Sequence, residues 1–225
     1  VATASRRFDQ ARFAGTLGLL TVAALGRWSP PARLVIAAKH PHQRRWATEL
    51  APADTPLTCC DPDELARAVR RTVRTAMVDP AGPHERLTQG ADVTIDCVGS
   101  TESLTHALSV TRPGGRVVLV GMPGVATLDL TPLWQREIAL QGAYAYGTET
   151  LDGHRYRTFD LAAELVAAAD LGRLVSATYA LERFADALDH AGAAGRLGAT
   201  KIAFCLPGSD ELPDHPATRT LKGRR

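Results

Sequence analysis

Two kinds of apolar run alternate along the chain. Residues 33–38, 92–99 and 116–121 are short blocks dominated by Val, Ile and Leu, as in parallel strands covered on both faces. Residues 55–59 predict a short strand, and 137–147 a further one in which Ile138, Leu140 and Ala143 alternate. The last strand falls at 200–206. Between these lie helical patterns. Residues 19–25 read as a buried helix, and 41–50 as one with Trp46, Ala47 and Leu50 on one side. After Asp61-Pro62, a cap followed by proline at the first helical position, Leu65, Ala68, Val69 and Val73 recur at helical spacing. Residues 101–110 turn Leu104, Ala107 and Leu108 inward, and 159–171 and 181–191 are amphipathic. Pro30-Pro31 and Arg112-Pro113-Gly114-Gly115 punctuate the chain. Strands alternating with helices predict an α/β fold with a doubly wound parallel sheet.

The pattern breaks at the front. Ala14-Gly15-Thr16-Leu17-Gly18 looks like the loop of a Rossmann dinucleotide fingerprint, and the helix it requires follows. Residues 1–13 are polar and contain no apolar run, so the first strand reads as degenerate or missing. Phe13 stands where the fingerprint has its first glycine, whose dihedral freedom makes the tight turn. Gly15 and Gly18, with Thr16 and Leu17 between them, would let the backbone approach a pyrophosphate at a helix N-terminus, whose free N–H groups favour anions. Gly15, Gly99, Gly121 and Gly147 stand at predicted strand ends, where such sheets bind ligands.

Cofactor choice is made at the end of the second strand, where a carboxylate would hold the ribose of NAD. Here the strand runs into Lys39 and His40, with Arg44 and Arg45 beyond and no acid in that place. Basic groups suit a 2′-phosphate, which favours NADP with NAD as the alternative. The arginines read equally as a solvated helix face. Asp96, inside an apolar strand, reads as structural.

Length and composition add limits. A chain of 225 residues, 45% hydrophobic, fits one large domain or one domain with an appendage. A formal charge of +2 calls for neither nucleic acid nor an anionic membrane. The longest apolar stretch, 17–25, is too short to span a bilayer and lacks the flanks of a signal peptide. Cys59, Cys60, Cys97 and Cys205 contain no C-x-x-C pair, which makes a reduced, cytoplasmic setting the default. The seven histidines show no metal-ligand spacing. Residues 219–225 read as a frayed basic tail within a disordered 207–225.

Taken together and in order, residues 14–18, 90–100 (Gly-Ala-Asp-Val-Thr-Ile-Asp-Cys-Val-Gly-Ser), 112–116, 120–124, 137–144 and 195–201 resemble the medium-chain, zinc-type alcohol dehydrogenases, over about 14–206. The resemblance implies a dinucleotide-binding domain at 14–174 and a returning segment at 175–206 that packs on a catalytic lobe. It also implies hydride transfer between a nicotinamide and an alcohol or carbonyl carbon, with zinc polarising the oxygen. By that likeness Lys201 reaches the cofactor pyrophosphate, the backbone of Gly121-Met122-Pro123 and of 142–144 serves the nicotinamide, and Val98 and Gly99 also belong to the cofactor site. The chain has no G-H-E signature, so no zinc ligands and no catalytic residues are assigned; Tyr144 and Tyr146 are weak candidates for a proton donor. The expectation is a truncated cofactor half, inactive alone. Apolar faces at Leu181, Phe184 and Leu188 would then seek a second copy or a separate lobe. The competing expectations are a non-catalytic nucleotide-binding or assembly module and a degenerate product that folds poorly.

Overall fold

The continuous apolar blocks become interior strands of a parallel sheet. The computed structural model describes residues 9–12, 15–78 and 86–206. In chain order its strands are β1 (Asp9–Arg12), β2 (Leu34–Ala37), β3 (Leu57–Cys60), β4 (Met77–Val78), β5 (Arg86–Leu87), β6 (Ala91–Asp96), β7 (Thr111–Leu119), β8 (Ala139–Gly142), β9 (Thr148–Leu151), β10 (His154–Arg157), β11 (Val175–Ala180) and β12 (Lys201–Cys205). The helices are α1 (Thr16–Trp28), α2 (Pro41–Leu50), α3 (Leu65–Val73), α4 (Thr101–Val110), α5 (Thr131–Gln135), α6 (Thr158–Ala168), α7 (Phe184–Gly192) and α8 (Ala194–Leu197). Six strands form the main sheet in the order β3-β2-β1-β6-β7-β8, all parallel. The chain moves outward from β1 to β3, then crosses back to β6 on the other side of β1. That reversal is the topological switch point.

β2 shows why the sheet is covered twice. Leu34 and Ile36 point into a core with Leu19, Val22 and Ala23 of α1, Ala47 of α2 and Leu165 of α6. Val35 and Ala37 point the other way, against Leu65, Ala68 and Val69 of α3 and Val110 of α4. All four residues are buried. Burying each of the larger side chains is worth about 1.5–3 kcal/mol. A smaller cluster of Ala107, Leu108, Val117 and Ile138 closes the far end. β11 and β12 form a separate parallel pair, packed by Ala177, Tyr179 and Ile202 against Ala187 of α7.

The structure corrects several expectations. A strand does lead into the glycine loop: Asp9–Arg12 pairs with Leu34–Ala37 on one side and Val93–Asp96 on the other. The first strand is therefore degenerate in composition but present, and the sheet begins within the segment 1–13. Ladder bonds use only backbone N–H and C=O groups, so two apolar neighbours can flank a strand whose own residues are polar. The turn at 112–115 lies inside β7 as a register shift, with Gly114 at φ 64°. The strand at 137–147 stops at Gly142, and a hairpin of β9 and β10 follows. Its turn, Asp152-Gly153, has φ of 50° and 81°. Two positive φ values in sequence suit a tight hairpin, and Asp-Gly is the pair that favours them. Asp61 stands at the N-cap of a 3-10 turn, Pro62–Glu64, without a side-chain cap bond. Phe13 and residues 207–225 lie outside the described residues.

Candidate functional site

The carboxyl ends of β1, β2, β6 and β7 converge on the N-terminus of α1. Gly15 caps that helix with extended backbone, and its carbonyl accepts the first helical bond from Leu19 N at 3.0 Å. The N–H groups of the first turn have no partner within a helix, which makes this end an anion site. Among the described residues, a Cβ on Gly15 would meet nothing within 4 Å, so none of them closes the face beside the cap. Gly18 is buried, and Leu17 is exposed at the rim. Thr16 Oγ1 donates to the Thr200 carbonyl at 2.8 Å, and Thr200 N donates to Ser176 Oγ at 2.8 Å. These bonds stitch the start of α1 to the start of β12. Lys201, exposed and next in sequence to Thr200, is thereby set beside the α1 N-terminus.

Two loops form the other wall. Val98 is partly exposed and Gly99 is buried at φ 82°. A Cβ on Gly99 would stand 2.9 Å from the Met122 carbonyl carbon, and one on Gly121 would stand 2.6 Å from the Val98 carbonyl oxygen. The loops after β6 and β7 thus touch backbone to backbone, while the Met122 side chain is almost wholly exposed. Asp96, fully buried, accepts from Val98 N at 2.9 Å and Gly99 N at 3.2 Å through Oδ1, and from Ser103 Oγ at 2.8 Å through Oδ2. Its structural character was legible in the sequence; its hold on the site loop was not, because a carboxylate's partners depend on a turn that no spacing rule encodes.

At the end of β2, Lys39 is exposed and His40 half-buried. The His40 and His42 rings stack with centroids 5.6 Å apart. His40 also lies against Gly195, its Cδ2 3.0 Å from where a Cβ would stand. Burial, then the neighbouring His40 and Arg45, lower the His42 pKa, against a hydrogen bond to the Ala199 backbone. Arg44 is already engaged: Nε donates to the Ala38 carbonyl at 2.8 Å and the guanidinium meets Asp61 at 3.4 Å. Arg45 pairs with Glu49 at 3.7 Å on the outer face of α2 and does not join the site. Tyr144 is 99% exposed, and Tyr146 packs on Phe159 at 4.5 Å, so neither lines a cleft with these groups. Cys97, in the loop after β6, has its thiol pushed up by burial to about 11, despite Thr21 Oγ1 at 3.6 Å.

A mainly apolar cleft of about 590 Å³ runs between α1 and α6, lined by Leu17, Leu20, Trp28, Leu161 and Val166 and reaching Val120. Among the described residues, no group of three or more His, Cys, Asp or Glu side chains is placed to hold a metal ion. Nor is any helix among them long and apolar enough to cross a membrane.

The family model described as zinc-binding dehydrogenase matches residues 31–167, more than half of the chain. A sorbitol dehydrogenase from Arabidopsis thaliana is 33% identical over 138 residues, covering 59% of this chain and 34% of that protein. An L-idonate 5-dehydrogenase from Vitis vinifera is 30% identical over 133 residues, covering 59% and 33%. The apo form of zinc-dependent alcohol dehydrogenase 2 from Streptococcus pneumonia superposes with a TM-score of 0.68 at 16% identity, covering 92% of this chain and 54% of that one. At that identity the likeness shows the fold alone. The matched stretch spans about a third of these relatives' length.

Proposed function

The chain belongs to the zinc-binding dehydrogenases, and from that premise we propose that it is the dinucleotide-binding part of an NAD(P)-dependent oxidoreductase acting on alcohols or carbonyls. The observation that carries the reading is the open, glycine-capped N-terminus of α1 at the switch point of the sheet. The donor chemistry fits a dinucleotide. Free N–H groups between Gly15 and Gly18 would hold the pyrophosphate, with Lys201 supplying a cation from the returning segment. Val98, Gly99, Gly121 and Met122 would offer backbone to the nicotinamide end. When bound, the cofactor supplies a hydride acceptor or donor; this chain's residues bind and orient it.

Lys39, His40 and Arg44 would meet a 2′-phosphate, which makes NADP the preferred form. Because Asp61 and the Ala38 carbonyl already occupy Arg44, Lys39 and His40 carry most of that preference. The described residues do not fit a zinc site, since no three of their His, Cys, Asp or Glu side chains are grouped to hold the ion. We assign 14–174, with β1, to cofactor binding and 175–206 to contact with a further lobe, a second chain or a second copy.

Fluorescence titration of the full chain with NADPH and NADH tests the reading. Saturable binding with NADPH the tighter is expected. No saturable signal for either would sink the cofactor role, and tighter NADH binding would overturn the preference alone.

A further inference from the structure

The buried carboxylate of Asp96 does more than fill a strand end. Its two oxygens take three donors from the loop after β6 and the first turn of α4: Val98 N, Gly99 N and Ser103 Oγ. Its main-chain carbonyl takes two from the loop after β7, Val120 N and Gly121 N, each at 2.9 Å. One residue therefore holds both loops. The glycines complete the arrangement, because Gly121 closes on the Val98 backbone and Gly99 on Met122 and Pro123 without room for a Cβ at either. Ser103 is locked in turn: its single hydroxyl hydrogen goes to Asp96, while its Oγ receives the Ser100 N–H at 2.9 Å.

We propose that Asp96 is a positioning residue that clamps the loops 97–100 and 120–123 into a single platform for the nicotinamide half of the dinucleotide. The inference rests on the cofactor reading above and adds to it a division of labour. The α1 N-terminus and the end of β2 hold the phosphates, and the Asp96 clamp sets the far end. A buried carboxylate suits the task because it accepts several N–H and O–H donors at once, and a charged acceptor makes each bond stronger and shorter than a neutral one would. Asn in its place offers one acceptor oxygen and no charge, and its NH2 group meets Ser103 only if that hydroxyl turns its hydrogen to the Ser100 carbonyl. The loop would then drift relative to α1 while the anion site stays whole.

The test compares the full chain with Asp96→Asn, using NADPH and 2′-phospho-ADP-ribose, which lacks only the nicotinamide. The expected result is NADPH binding weakened about 10- to 100-fold, as for loss of a charge-assisted hydrogen bond, with 2′-phospho-ADP-ribose unchanged within about twofold. Amide exchange should quicken at Val98 and Gly99 and also at Val120 and Gly121. Equal weakening of both ligands, or NADPH binding like the wild type, would overturn the proposal. A wild-type chain that binds neither ligand would instead overturn the cofactor reading. Exchange then decides the clamp: unchanged protection in the variant at Val98 and Gly99, whose N–H groups bond the carboxylate, refutes it. If Asp96→Asn does not fold, Ser103→Ala removes the donor to Oδ2 together with the acceptor of the Ser100 N–H and should give a smaller shift of the same kind; its absence counts against the clamp.

Discussion

Gly121 and Gly142 ask opposite things of a methyl group. At Gly121 a Cβ would run into the Val98 backbone, which belongs to the clamped loop and has no rotamer to yield. Gly121→Ala should destabilise the fold by about 1–3 kcal/mol, the range for overpacking. Gly142→Ala, with nothing within 4 Å, should change it by no more than about 0.5 kcal/mol; urea denaturation of the two variants compares them directly. The thiols obey burial in the same local way. Cys60 is pushed up to about 12 and Cys97 to about 11, from 9.0. The thiolate is the nucleophile, so near pH 8 both should react with iodoacetamide at least roughly 100-fold more slowly than in the urea-unfolded chain. Mass spectrometry of timed samples reads this, and fast labelling at Cys97 would contradict its burial. His42 has the opposite sign. Its pKa is lowered from 6.5, so as pH falls through that value the unfolded chain takes up the proton first and stability drops. Melting temperature should decline on acidification from pH 7 to 5, and His42→Gln should make the decline shallower; an identical slope would remove His42 as a contributor.

At the scale of elements, legibility followed how much of each element's stability lies in its side chains. β2 was readable because both of its faces are buried, which demands a continuous apolar run. Leu34→Ala should accordingly cost about 2–5 kcal/mol in thermal or urea unfolding, and a loss below about 1 kcal/mol would show that the core can collapse around it. β1 was not readable, since Asp-Gln-Ala-Arg carries no strand periodicity and its place is set by backbone pairing to β2 and β6. The β9–β10 hairpin had a signal, Asp152-Gly153, in a stretch between the strand read at 137–147 and the helix read from 159, to which no element was given. At the candidate site, the glycine loop that opens α1 was visible in Gly15 and Gly18, and the basic end of β2 in Lys39 and His40. What could not be read was which partners those groups already have. Arg44 looks free in sequence and is held by Ala38 and Asp61, and His40 meets Gly195 from a segment far along the chain.

For the whole molecule, the main question is what covers its apolar surface. Leu181, Phe184 and Leu188 recur at three- and four-residue spacing, so they share one face of the turn and helix that follow β11. They are 51%, 57% and 64% exposed, while the opposite face packs Ala187 onto β11 and β12. Phe204 and Leu206, at the end of β12, are also exposed. Isolated exposed leucines are ordinary, but a contiguous apolar stripe of this kind is a candidate contact surface. Two linked outcomes follow. Sedimentation velocity of the purified chain should show a concentration-dependent heavier species, and Phe184→Lys with Leu188→Ser should abolish it. The same double variant should leave thermal unfolding nearly unchanged, because side chains already in solvent lose little on replacement. A strictly monomeric wild-type chain would instead mean that the stripe is not an interface between copies.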